Sequence, residues 1–268
     1  MGAELALVLT EVDRFATRAI EPRAARSEHP MSGVELDGLL AELRAIGVVA
    51  TETPSGLGLW EGDDGDAVLG SVRVLRRLAR ANAGVALAAH LESLAQRIAR
   101  GLGLDRSGVG VAVVHGRMGV GRGALARWLR GVELEASDRA VLEDIYAPSA
   151  PRLVTTTRSF SWAIAPAIDA HAVGSAALGW SKVARDRADV VVHPRAHGFD
   201  ELATLTLCPA AEIVGAGDRA LFSDALVRSS LGYVAIALGA LDRGYALARR
   251  FAATRRQGGE VIERHAAV

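Results

Sequence analysis

Val227, Leu231, Val234, Leu238, Leu241, Tyr245, Ala248 and Ala252 recur alternately four and three residues apart. On a helix that spacing puts them on one stripe, in the register that packed helix pairs use. No proline interrupts the stretch, so the spacing predicts one continuous helix from Ser223, as N-cap, to a stop at Gly258-Gly259. At about 1.5 Å of rise per residue it would span roughly 50 Å, more than a small domain needs. Gly232, Gly239 and a run of alanines let another backbone come close. Such a helix is the spine of a bundle or of a subunit interface, although a long core helix without chemistry carries the same pattern.

The remaining composition narrows the class of protein. The 268 residues can hold one large domain or two modest ones with ample core. Half are apolar, yet no uninterrupted apolar run approaches the length that spans a bilayer. The N-terminus has Glu4 close to its start and no basic-then-apolar leader pattern, so a cytoplasmic protein with no membrane partner is expected. Lys plus Arg, 31, equal Asp plus Glu, 31, which removes the electrostatic argument for nucleic acid as a main partner. Cys208 is alone, leaving neither an intrachain disulfide nor a cysteine-based metal cluster.

Along the chain, helical spacing covers residues 4–21, closed by Pro22, and Val34 to Ile46, ended by Gly47. It continues over Ala67 to Ala81 and Val85 to Arg100, after a loop from Pro54 to Asp66. Val111 to Val114 reads as short and extended, Ala124 to Leu129 as helical, and Pro148 and Pro151 mark a boundary. Beyond it Leu153 to Thr157, Ala188 to Val192 and Leu202 to Leu207 read as strands of a small sheet. Glu260 to Val268 starts another amphipathic helix. The order predicts an α+β fold, mainly α, with segregated layers. Its parts are a helical N-terminal domain over 1–150, a small middle β-domain over 151–215 and a C-terminal helical domain over 216–268.

Three local motifs carry little. Gly119-x-Gly121-x-Gly123 has no following βαβ unit and no strand-end acid, so it reads as a loop before a helix. His193-Pro194-Arg195-Ala196-His197 lacks a helical pair and further ligands for zinc. Asp63-Asp64-Gly65-Asp66 lacks the alternating oxygens of a calcium loop and reads as a turn that favours the helix start after it.

The order of parts resembles the acyl-CoA dehydrogenase family of flavoproteins, and local wording agrees. The resemblance is carried by Phe15-Ala16 through Ile20-Glu21-Pro22, by Leu40 to Gly47, and by Thr53-Pro54-Ser55-Gly56-Leu57-Gly58-Leu59. Leu78-Ala79-Arg80-Ala81-Asn82-Ala83 and Val85 to His90 follow. Near the other end, Leu238-Gly239-Ala240 leads to Arg255-Arg256-Gln257-Gly258-Gly259, then Ile262, His265 and Ala266. Together these pieces cover about two thirds of the chain. The resemblance implies a helical N-domain, a middle β-domain and a C-terminal four-helix bundle that builds oligomers. It also implies FAD as cofactor and α,β-desaturation of an acyl-CoA substrate.

Departures from the family shape the functional expectation. The sequence runs out where the bundle's second helix would begin, so the four-helix bundle is incomplete. Either another chain, an acyl-CoA dehydrogenase-like partner or a second copy, packs helices against residues 223–259, or the long helix folds back on its own N-terminal helices. The family's proton-abstracting carboxylate cannot be assigned: in a minority of members it lies around Ser229, and a serine cannot do that work. No catalytic residue is therefore named. Thr155-Thr156-Thr157-Arg158-Ser159 stands roughly where the family has a glycine-containing loop that donates to flavin and substrate, which makes Thr156 a candidate cofactor contact. The resemblance further implies Trp180 and Ser181 beside the flavin, with a core tryptophan as the alternative. It implies Arg255 and Gln257 on the FAD pyrophosphate and adenine of a neighbouring subunit, with a solvated helix-end arginine as the alternative. The expected role is that of one component of a heteromeric FAD-dependent enzyme. The alternative is a non-catalytic structural or regulatory subunit.

Overall fold

Helix α1 (Ala3–Phe15) passes through a π turn, Ala16–Ile20, into α2 (Glu21–Ala24). Pro22, expected to close this segment, lies inside the continued helix instead. The π turn re-phases the ladder just before it, with the Glu21 amide donating to the Ala16 carbonyl, so the chain runs through a residue that lacks its own N–H. The computed structural model describes residues 3–24, 31–51, 58–115, 122–147, 151–169, 177–193, 202–208 and 218–264. The Gly119–Gly123 and His193–His197 motifs fall partly outside them.

Helix α3 (Gly33–Ala45) starts at a capping box, in which Ser32 Oγ accepts from the Glu35 amide and the Glu35 carboxylate accepts from the Ser32 amide. Asp64 N-caps α4 (Gly65–Ala81) through the Ala67 amide at 2.8 Å. Asn82 ends α4 and caps α5 (Ala83–Gly101) at once, its Oδ1 accepting from the Val85 amide at 2.8 Å. Almost every residue of α5 from Gly84 to Gln96 is buried, which makes it the central post of the helical layer.

Strand β1 (Gly110–Ala112) leaves the helical layer and pairs in parallel with β3 (Trp162–Asp169), which pairs antiparallel with β4 (Ala177–Ala184). Helices α6 (Arg122–Leu129) and α7 (Ala136–Tyr146) intervene. A second three-stranded sheet has the order β2-β6-β5, antiparallel throughout, from β2 (Arg152–Thr156), β5 (Asp189–His193) and β6 (Ala203–Cys208). Sequence pattern located β2, β5 and β6 but not β3 and β4. Trp-Ala-Ile-Ala-Pro-Ala-Ile is buried throughout and shows no period-two alternation, and Pro166 argues locally against a strand. The architecture is nonetheless the expected one, mainly α with a small β layer.

Helix α8 (Arg219–Thr254) begins one turn before the expected start, capped by Asp218 rather than Ser223. It carries two stripes, and sequence reading singled out only one. Ala225, Ser229, Gly232, Ile236 and Gly239 face inward toward α4 and α5, and Phe222 faces inward toward α6, α7 and β4. Val227, Val234, Leu238, Leu241 and Tyr245 stay exposed, Leu241 at 67% and Tyr245 at 69%. The long helix thus folds back on its own N-terminal helices by one face and leaves most of the predicted stripe open, Leu231 of that stripe being half-buried against the core. By length and composition α8 could cross a membrane. Here its buried Arg228 and its Asp224 are engaged by neighbouring side chains of the same chain.

The expected stop at Gly258-Gly259 is a hairpin turn, with φ of 62° and 87°, between β7 (Arg256–Gln257) and β8 (Glu260–Val261). The helix ends earlier, at Thr254, and the expected amphipathic helix over 260–268 is replaced in the described residues by β8 and a 3-10 turn, Ile262–Arg264. Short extended segments pair there because the two glycines reverse the chain.

A Cβ on Gly239 would collide with the Arg76 carbonyl oxygen and lie 2.7 Å from the Ala79 methyl, whereas one on Gly244 meets nothing within 4 Å. Gly239→Val should therefore cost about 1–3 kcal/mol by forcing α8 off α4, while Gly244→Ala should stabilise by up to about 1 kcal/mol. Urea midpoints of the two variants check both signs.

Candidate functional site

The inward face of α8 meets α5 and the segment after β1 in a cluster of ring and hydroxyl side chains. Trp60 is its anchor. Its backbone has φ of 65°, a conformation that bulky residues rarely adopt. Three hydrogen bonds hold it there: its amide to Ser71 Oγ at 3.0 Å, its carbonyl from Arg97 at 3.0 Å, and its indole Nε1 to His90 Nδ1 at 2.9 Å. Because Nδ1 accepts, the neutral His90 ring carries its proton on Nε2. That proton is turned toward α8, where the Ser229 backbone draws on it without reaching full hydrogen-bond geometry. Gly232 makes the room, since a Cβ there would lie 2.6 Å from both ring nitrogens. Complete burial pushes the His90 pKa down to about 3, with a small contribution from His115 against the pull of the Ser229 backbone.

Ser229, at the position where a minority of the resembled family has its base, is buried, and its Oγ lies 3.0 Å from His115 Nε2. Tyr233 packs against both imidazoles, at 5.5 Å from His90 and 5.7 Å from His115. Partial burial lowers the His115 pKa. The hydroxyl–imidazole pair therefore pins α8 to the segment after β1. Ser229 Oγ is too enclosed to meet a substrate and too weak a base to take a proton from carbon.

One turn earlier, Asp224 accepts from Arg97 Nε and from Arg228 Nε, both at 2.7 Å. Arg228 also donates to the Gly62 carbonyl at 3.0 Å, and Arg97 reaches Asp63. The hydrogen bond and charge of Arg97 hold the Asp63 carboxyl below its usual pKa. This lattice ties α5, α8 and the loop before α4 together.

The positions expected to touch a cofactor divide into two groups. Thr156 at the end of β2 and Trp180-Ser181 in β4 are all buried, Trp180 completely. The Trp180 ring packs 5.8 Å from Phe222, which also takes Trp128 at 5.5 Å and Tyr146 at 5.9 Å, so an aromatic plug fills the junction of α8 with the β layer. Trp180 Nε1 and Thr156 Oγ1 are buried without a hydrogen-bond partner among the described residues. Arg255 and Gln257 lie exposed at the other end of α8, Arg255 with its guanidinium 5.2 Å over the Phe251 ring. At about 1.5 Å per residue the helix separates the two groups by roughly 50 Å, so one chain does not bring them together.

Sequence reading passed over Trp60, His90 and His115 as functional candidates. His90 sits in an otherwise apolar helix, where a satisfied core histidine looks the same as a site residue, and His115 follows a short extended run with no motif around it.

Solved structures resolve what the fold is. A structure for the electron transferring flavoprotein of Acidaminococcus fermentans superposes with a TM-score of 0.70 at 15% identity, over 100% of this chain and 73% of that one. Butyryl-CoA dehydrogenase from Megasphaera elsdenii gives 0.64 at 15% identity, with the same coverage of 100% and 73%. This is the acyl-CoA dehydrogenase fold. PigA, solved with FAD and proline, matches it too, with a TM-score of 0.67 at 12% identity over 100% of this chain and 73% of that one. No family model and no curated protein sequence matches the chain.

In the acyl-CoA dehydrogenase fold of this chain, the described residues do not fit a flavin as they stand. The two orphaned polar atoms have no accessible surface through which to reach one, and the Phe222 plug covers Trp180.

His90 carries a testable sign. Its folded pKa lies below its unfolded value of 6.5, so its contribution to stability is complete above pH 6.5 and is lost as pH falls from 6.5 toward 3. The loss approaches about 1.4 kcal/mol per pH unit in that window. Urea unfolding at stepped pH should show this slope in the native chain and a shallower one in His90→Gln.

Proposed function

We propose that this chain is a dehydrogenase-fold subunit that acts within an assembly in the cytoplasm, receiving helices of an acyl-CoA dehydrogenase-like partner along the open face of α8. The single observation that carries this reading is the second stripe. Val227, Val234, Leu238, Leu241 and Tyr245 remain exposed after the helix has used its other face on α4 and α5. An exposed apolar strip of that length, broken only where Leu231 turns to the core, is costly in water, and its four-three spacing from Val234 to Tyr245 suits side chains of another helix. Within such an assembly this chain is non-catalytic by itself. Desaturation of an acyl-CoA thioester, the reaction implied by the resemblance, needs a carboxylate poised over the α-carbon, and the Ser229–His115 pair offers none. A second copy of this chain would bury the stripe without supplying that group, which favours a different partner.

A second reading makes the pair a heteromeric FAD enzyme. Thr156 Oγ1 and Trp180 Nε1, buried without a partner among the described residues, could serve it only once Phe222 has moved off Trp180. The placement of Arg255 and Gln257 at the far end of α8 agrees with it, since from there they could contact only a ligand of a neighbouring subunit.

Co-expression with a carboxylate-bearing acyl-CoA dehydrogenase homologue from the same genome tests both readings. Sedimentation should give a stable pair, and Leu238→Glu or Leu241→Glu should weaken it at least about tenfold while leaving this chain's melting temperature in place. A colourless pair supports the first reading, and flavin absorbance that appears only in the pair supports the second. A chain that ignores the homologue and stays monomeric by itself overturns both.

A further inference from the structure

A crevice of about 550 Å³ opens between the first helical run, α4 and α8. Arg73, Arg76, Arg77 and Arg80 enter it from α4 at positions i, i+3, i+4 and i+7, which places four guanidinium groups along one side of that helix. A neighbouring crevice of about 290 Å³ shares Glu21 and Arg80 with the first and adds Arg243 and Arg250 from α8.

Three carboxylates face these arginines, and each is already engaged. Asp242 accepts from Arg76 at 2.7 and 3.0 Å, Asp13 pairs with Arg77, and Glu21 lies 3.7 Å from Arg243. The carboxyl of Asp242 is held below its usual pKa by the Arg76 hydrogen bond and charge, with Arg80 adding to the effect. Arg80 and Arg250 make no ion pair among the described residues. Beside these pairs, Arg80 and Arg250 give the two adjoining crevices a positive surplus. The volume falls within the range of small-ligand sites, which run from about 300 to 1,000 Å³. Guanidinium forks grip phosphate oxygens in pairs, and several forks at helical spacing suit an anion with more than one phosphate group.

We propose that the joined crevice binds an anion carrying a diphosphate, presented either by a nucleotide or as free polyphosphate, with Arg80 at the centre of the contact. The site lies outside the Trp60–His90–Ser229 cluster and goes beyond the partner reading, on which it does not depend.

Isothermal titration of the full chain with ADP and with inorganic pyrophosphate tests it, each at low and at physiological ionic strength. Both should bind with one-to-one stoichiometry and more weakly as salt rises. ADP binding more tightly than pyrophosphate assigns the site to nucleotides, and equal affinity assigns it to free polyphosphate; either upholds the diphosphate site. Arg80→Ala and Arg250→Ala should each weaken binding at least about tenfold with an unchanged melting temperature. Arg249→Ala, on α8 but outside the crevice lining, should leave it as it is. Absence of heat with both anions overturns the proposal, and so does an equal loss in Arg249→Ala, which would mean a diffuse field rather than a site. Should Arg80→Ala lower the melting temperature, Arg80→Lys keeps the charge and removes the fork, and undiminished binding there overturns the role given to Arg80.

Discussion

The seat of α8 on α4 and α5 depends on two missing side chains. Gly239 lets the helix backbone approach the Arg76 carbonyl, and Gly232 lets the His90 ring stand against it. Close approach then makes the ionic lattice possible, because Asp224 and Arg228 can reach Arg97, Asp63 and the Gly62 carbonyl only while the helices touch. Arg228 is almost wholly buried, and breaking such a pair from one side leaves a charge without solvent or partner. Backbone contact and salt lattice thus hold or fail together.

The same seating decides what the middle of the molecule can do. With α8 in place, Phe222 closes over Trp180, Tyr146 and Trp128, and Ser229 turns its hydroxyl to His115. The described inner surfaces of the fold are thus engaged in packing. Its unused chemical capacity lies elsewhere, on the apolar outer face of α8 and in the arginine-lined hollow near its far end.

Much of the fold was legible in the residues. The acidic turn around Asp64, read as favouring the helix after it, carries local chemistry that survives any tertiary setting, and the framework seen in solved structures agrees with the order of parts. Where reading failed, tertiary context had overridden local rules. Pro22 is tolerated by a π turn that no residue pattern announces. Strand β3 from Trp162 to Ile168 and β4 from Leu178 to Ser181 are buried on both sides, and so lack the alternation that marks a half-exposed strand. On α8, the large side chains of the outer stripe drew attention away from the inner one, where small residues do the packing. Trp180 illustrates the limit for site residues: a tryptophan beside a strand has the same spelling whether it flanks a ligand or plugs a core.

The twisted backbone at Trp60 has a bearing on how the molecule opens. Arg97 grips the Trp60 carbonyl and Asp224 of α8 with one guanidinium group, which couples the unfavourable conformation to the docking of the long helix. Amides around residues 58–64 and those in the first turns of α8 therefore belong to one cooperative unit, and they should exchange with solvent deuterium at a common rate although most of the chain lies between them.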